Sequence, residues 1–185
     1  MIKALFTALL LYVGSTAAQV ENTVAPLPSQ TCESLPFNLE MVGIKFCLKP
    51  TVLSYVNVLY ADRPAMSLLY NNEEVFIQVQ TFANFTGGAQ REVQLTASDY
   101  IKALKFKSID KLNYTTLYQI HELSNSDDLQ LYENKTWLVA VMQNEARLFK
   151  EALIVNKQSQ QMLQIAGAFK HTSLTEFITK IQLPN

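Results

Sequence analysis

The chain has 185 residues, 49% hydrophobic and 17% charged, with a formal net charge of −1. Such a balance excludes a disordered polyelectrolyte, and the lack of any basic run excludes a surface that tracks a phosphate backbone, so no nucleic-acid partner is expected. The length suits one domain with a sizeable core.

Residues 1–18 read as a secretory signal: Met1-Ile2-Lys3 is a short positive start, residues 4–13 form an uncharged stretch that is apolar but for Thr7, and small residues run from Gly14 to Ala18. Cleavage after Ala17 or Ala18 fits equally. The apolar run is shorter than the roughly 20 residues that cross a bilayer, so it does not read as an anchor. The mature chain is therefore expected outside the cytoplasm, in a periplasm or alternatively the extracellular space, with no transmembrane anchor and a net charge of about −2 once Lys3 is removed.

Residues 19–31 are polar, carry Pro26 and Pro28, and read as a flexible leader. Residues 32–185 form the single expected domain. Its two cysteines are Cys32 and Cys47. An oxidising compartment pairs them, closing a loop of about 15 residues worth roughly 3 kcal/mol in the chain-entropy model. The bridge ties the N-terminal segment to the first strand. A catalytic thiol is the alternative, and it needs one cysteine reduced beside a base.

The first predicted strand is 43–48 (GIKFCL), halted by Pro50. Strands at 54–60 and 65–70 follow, broken by Asp62-Arg63-Pro64. Asn71-Asn72 turns tightly into a strand at 74–82, where Val75, Ile77 and Val79 alternate with Gln78 and Gln80. That alternation marks a half-buried antiparallel strand. Residues 84–91 read as a loop.

The pattern at 97–106 predicts a helix capped by Thr96 or Ser98, with Asp99 against its N-terminal dipole. Strands are predicted at 114–123, 129–132 and 136–143. In Trp137-Leu138-Val139-Ala140-Val141-Met142 both faces are apolar, which predicts a central strand covered on each side. Residues 148–155 and 161–169 form a closing hairpin around 156–159. A last helix runs from 174 to about 182, where Ser173 and Glu176 form a capping box and Leu174, Phe177, Ile178 and Ile181 the buried stripe. Pro184 lies just beyond. The expectation is an α+β fold, a mainly antiparallel sheet of about six to seven strands packed with two helices.

That order of elements resembles the PsbP-like superfamily, which includes the Ran-binding Mog-type proteins and some bacterial periplasmic proteins. Residues 43–50 (GIKFCLKP) are similar to its opening strand, a Gly-aromatic-Leu-Pro pattern. Residues 161–169 with the helix at 173–182 are similar to its closing strand and helix. Thr51-Val52 stands where the family often has Gly-Trp, and its usual Ser-Phe after the last helix is absent. The resemblance implies a domain that docks onto other proteins and shares no active site.

Chemistry-bearing patterns are sparse. A Gly-x-Ser-x-Gly elbow is absent, and the two histidines, His121 and His171, lie far apart without a His-Glu-x-x-His spacing. On the predicted strand His121 and Glu122 point to opposite faces, so both histidines read as structural. Gly87-Gly88 with Arg91 reads as a loop needing positive φ before it reads as an anion nest. Residues 124–128 (SNSDD) lack calcium-loop spacing and read as a solvated hairpin end. Sequons at Asn84, Asn113 and Asn134 mark exposed surface in a eukaryotic secretory protein and carry no meaning in a bacterium, the source favoured here.

Three functions are weighed. The first is a non-catalytic protein-binding module, for instance an immunity-type protein that neutralises an envelope-targeted toxin. Asp127, Asp128 and Glu133 would face its cationic partner. The second is a carrier of a small apolar ligand in a pocket lined by strand aromatics, residues that more simply fill the core. The third is a hydrolase using paired carboxylates, and no such pair is visible. No cofactor or metal is expected.

Overall fold

The computed structural model describes residues 24–27, 39–60, 63–88, 94–110, 112–144 and 146–184. The expected signal at 1–18, most of the expected leader, Cys32 and Arg91 lie outside these residues.

Tight turns build the main sheet. Asn71 and Asn72, both at positive φ (49° and 63°), join β5 (Pro64–Tyr70) to β6 (Glu73–Gln80), because such turns match the twist of paired strands. β4 (Leu53–Tyr60) pairs with β5 at the edge. Asn134 Oδ1 accepts the backbone N–H groups of Thr136 and Trp137 at 2.9 and 2.8 Å, closing the turn between β7 (Leu129–Glu133) and β8 (Trp137–Met142). Asn156 Oδ1 does the same for Gln158 and Ser159 between β9 (Lys150–Asn156) and β10 (Met162–Gly167).

β10 pairs with β6 and joins the two halves. The approach is close there: a Cβ on Gly167 would lie 2.9 Å from the Glu74 carbonyl oxygen. Within the stretch read as a leader, β1 (Ala25–Pro26) adds in parallel to β7. The result is an eight-stranded mixed sheet of order β1-β7-β8-β9-β10-β6-β5-β4.

A separate three-stranded sheet has order β11-β3-β2, from β2 (Leu39–Met41), β3 (Ile44–Phe46) and β11 (Ile181–Gln182). It closes one face of the main sheet. Together with α4 (Leu174–Ile178) it buries Ile44, Phe46, Phe177 and Ile181 against Leu68, Ile77, Val139 and Ile154. Helices α1 (Phe82–Phe85), α2 (Ala97–Phe106) and α3 (Tyr114–Ile120) cover part of the other face. β8 is buried along its whole length: Trp137, Val139 and Val141 pack on one side, Leu138, Ala140 and Met142 on the other. Each of the valine, leucine and methionine side chains among them contributes about 1.5–3 kcal/mol by leaving water.

The α+β class stands, but the sheet content and helix count differ from expectation. Residues 114–120, within the strand expected at 114–123, do not form a strand. They form α3 instead, because Asn113 caps it by accepting the Thr116 N–H at 3.2 Å and Leu117 and Tyr118 bury together against α2. His121 is consequently the C-cap of a helix. The expected strand end at Phe82 is likewise the start of α1, capped by Thr81.

The last helix stops at Ile178. Thr179 Oγ1 donates to the Glu176 carbonyl at 2.7 Å, and the next residues peel off to pair with β3. Ser173 does cap it, accepting the Glu176 N–H at 3.0 Å.

Glu73 links the two sheets' connections. Its buried carboxylate accepts backbone N–H groups from Lys170, His171 and Thr172 in the turn before α4. Glu73→Ala leaves those donors unpaired and is expected to destabilise the fold by about 2 kcal/mol, with Glu73→Gln intermediate, as read by the urea midpoint.

Candidate functional site

The three helices roof only half of their face. Side chains there come from β7, β8 and β9 beneath the helices, then from β10, β6, β5 and β4 beyond them. The register lays the uncovered half out in rows: Tyr55–Leu69–Glu74, Asn57–Ser67–Phe76–Ala166, and Leu59–Ala65–Gln78–Gln164. Tyr55, Phe76 and Leu59 are 43%, 42% and 41% exposed.

Hydrogen bonds fix the polar members. Glu74 Oε1 accepts from Tyr55 Oη at 3.1 Å and from Ser67 Oγ at 2.9 Å. Gln164 Oε1 accepts from Gln78 Nε2 at 2.6 Å and from Gln80 Nε2 at 2.9 Å. Arg63 donates to Gln80 at 2.7 Å. A rigid sheet thus presents aromatic and amide groups in fixed positions, a surface able to bind without needing to reorder.

Arg147 marks the border between roof and open face. Its side chain is only 6% exposed and its Nη2 lies 3.7 Å from Glu122 and 3.8 Å from Glu151. The Nε and Nη1 atoms are buried without a hydrogen-bond partner. Burial pushes the Glu151 carboxyl up, and the Arg147 charge offsets this only in part.

A cavity of about 540 Å³ lies on the opposite face. Val139, Ile154, Ile178 and Ile181 lie at its base, while Lys45, Glu133 and Gln182 are among its polar lining. That volume falls within the range of small-molecule sites.

The three candidate carboxylates do not converge. Asp128 and Glu133 stand at opposite ends of β7, about 17 Å apart along the strand. Asp128 is taken up locally: it accepts the N–H groups of Ser124 and Asn125 at 2.6 and 3.0 Å and the Asn144 amide at 3.2 Å. With Asn125 it makes a capping box, so residues 124–128 are a built turn. Glu133 bridges Lys102 at 2.6 Å and Lys157 at 3.3 Å. Burial works against its ionisation, but the two ammonium groups prevail and hold its carboxyl below the usual range. Asp127 is exposed.

His121 is buried, stacks on Phe85 with ring centroids 4.4 Å apart, and places Nε2 3.2 Å from the Tyr100 hydroxyl. Burial, reinforced by the Arg147 charge, pulls its pKa down to about 4, while burial pushes Tyr100 up to about 12. The ring is neutral at pH 7 and belongs to the core. His171 is exposed near Glu73, which its backbone N–H contacts.

Gly87 and Gly88 adopt φ of +59° and +92°, the conformations that call for glycine after α1. Among the described residues no group of three potential ligands is placed to hold a metal ion. Asn84, Asn113 and Asn134 are all exposed. Cys47 is half-buried directly after β3, and its N–H donates to the Lys180 carbonyl at 2.6 Å.

The open face was hidden in the sequence because its rows join residues from four separate strands. The alternation of Gln78 and Gln80 with Val79 showed a polar side, yet only tertiary structure shows that no helix of the described residues crosses it. Compared with family models, curated proteins and solved structures, the chain matches none of them.

Proposed function

We propose that the chain is an exported, non-catalytic protein-binding module that recognises its partner with the uncovered half of the main sheet. The observation that carries this reading is the exposure of Tyr55, Leu59 and Phe76 among hydrogen-bonded amides on a rigid surface. Exposed large apolar groups interspersed with fixed polar ones give such a surface both contact area and hydrogen-bonding positions for a partner. Aromatic side chains in such a setting supply contact area at small entropic cost. The N-terminal pattern at 1–18 completes the proposal with a location in a periplasm or outside the cell, where a Cys32–Cys47 bridge would form.

The concrete version is an immunity-type protein occluding a toxin delivered to the envelope. Exposed Glu74 on the open face favours a cationic partner, and exposed Asp127, in the turn before β7, adds acidic charge beyond that face. The sequence resemblance of residues 43–50 and 161–182 to the PsbP-like superfamily, whose members dock onto other proteins, belongs to the same reading.

The test is capture of a partner from envelope and secreted fractions by the mature chain. Wild type is expected to retain one, Phe76→Lys to reduce retention about tenfold, and Asp127→Ala to weaken it less. Equal capture by Phe76→Lys removes the open face from the proposal. Native protein with residues 1–18 still attached, or with both thiols open to alkylation, removes the export.

The second reading, a carrier of a small ligand, would use the cavity, whose aliphatic base is joined by Lys45, Glu133, Asn134 and Gln182 and which no aromatic side chain among the described residues lines. Native mass spectrometry of freshly isolated protein showing a bound lipid or metabolite would put this reading first.

A further inference from the structure

The two edges of the main sheet are unequal. At one edge β1 has two residues, one of them Pro26, and so offers little to a foreign strand. At the other, β4 runs eight residues from Leu53 to Tyr60, and among the described residues no strand pairs with its outer side. Soluble proteins protect a long edge with charge, proline or a bulge, because its unpaired N–H and C=O groups template pairing. β4 (LSYVNVLY) has no charge and no proline. Its one register irregularity lies between Leu53 and Tyr55, so residues 55–60 pair regularly with β5 and stay straight enough to accept a neighbour.

Exposed apolar side chains stand on both of its faces. Tyr55 and Leu59 project onto the open face, paired across β5 with Leu69 and Ala65. Val58, on the opposite face, is 49% exposed. We propose that β4 is the interface for a second copy of this chain, the two strands pairing antiparallel about a two-fold axis at Asn57.

The register follows from the order of residues. Antiparallel partners share a face, so a two-fold axis at Asn57 sets Tyr55 opposite Leu59, Val56 opposite Val58, and Asn57 opposite itself. Tyr-Val-Asn-Val-Leu thus reads nearly the same in both directions: a large apolar group, a valine, an amide, a valine, a large apolar group. Each exposed apolar side chain meets another, the amides meet at the axis, and no charge opposes a like charge. Self-complementarity selects a second copy over an unrelated strand. The pairing would join two eight-stranded sheets edge to edge and set two open faces side by side, and it does not depend on what those faces bind.

The symmetry makes the test sharp, because one substitution at Asn57 places a charge against its own image. Asn57 is exposed, so Asn57→Asp and Asn57→Lys should both fold, which circular dichroism checks. Sedimentation velocity from about 1 to 100 μM covers the range in which a modest edge interface is expected to dissociate. Wild type is expected to dimerise as concentration rises. Each charged variant is expected to weaken dimerisation by about tenfold or more, and an equimolar mixture of the two to recover it. Leu148→Ser, at a surface position away from β4, is expected to leave the dimer unchanged. Wild type monomeric throughout, either charged variant as dimeric as wild type, or a mixture that fails to recover would each overturn the proposal.

Discussion

Between pH 6.5 and about 4 the folded state is expected to lose roughly 3 kcal/mol of stability through His121 alone. The unfolded chain takes a proton on this imidazole near pH 6.5, whereas in the native state burial and then Arg147 pull the pKa down to about 4. Above the unfolded value both states hold a neutral ring, and the contribution is constant. Within the window the unfolded state alone is protonated, so stability falls by up to about 1.4 kcal/mol per pH unit as the pH drops. Below about 4 the native ring also protonates and the loss levels off.

His121→Phe keeps a ring against Phe85 and removes the titrating nitrogen. It leaves the Tyr100 hydroxyl without its partner, so stability at pH 7 is expected to fall by about 1 kcal/mol. The slope between pH 6.5 and 4 should nevertheless flatten relative to wild type. Arg147→Met removes the nearby charge and is expected to shallow the slope while leaving the histidine in place. Urea midpoints at half-unit pH steps measure both effects. Parallel profiles for wild type and His121→Phe would show that the ring does not set the acid sensitivity.

Phe177→Ala is expected to destabilise the protein by about 3–5 kcal/mol and to lower its melting temperature by about 10 °C. Phe177 is fully buried where α4 meets both sheets. Its ring packs edge-on against Tyr70, with centroids 5.2 Å apart, and against Phe169 at 5.7 Å. Removing it loses the transfer free energy of the ring and opens a cavity. The walls collapse little, because Tyr70 lies in β5 and Phe169 at positive φ (46°) in a turn held by Glu73. Phe177→Leu should cost about half as much. A shift in the denaturant midpoint at constant slope is the expected signature. A loss below about 1 kcal/mol would mean that α4 is not anchored as described.

Much of the scaffold was legible locally. Helix α2 runs over 97–106 as its periodicity indicated, and Thr96 caps it by accepting the Asp99 N–H at 3.2 Å. Asn71-Asn72 turns as expected, and β8 is buried on both faces as its unbroken apolar sequence required. Other residues gave divided signals. Tyr114, Thr115, Thr116 and Ile120 favour a strand by composition, but Tyr114, Leu117 and Tyr118 recur at helical spacing, and packing against α2 settles that conflict.

Sequence by itself determined the turns, the caps and which residues avoid water, because these depend on neighbours a few positions apart. Only the tertiary structure decided where the helices stop across the sheet, that Asp128 and Glu133 are occupied within the chain, and that His121 sits neutral beside Arg147. It also set β4 at the outer edge. Those properties arise from strand order and cross-strand register, which bring together residues as distant in sequence as Gln78 and Gln164. No local propensity encodes the closure of such long loops.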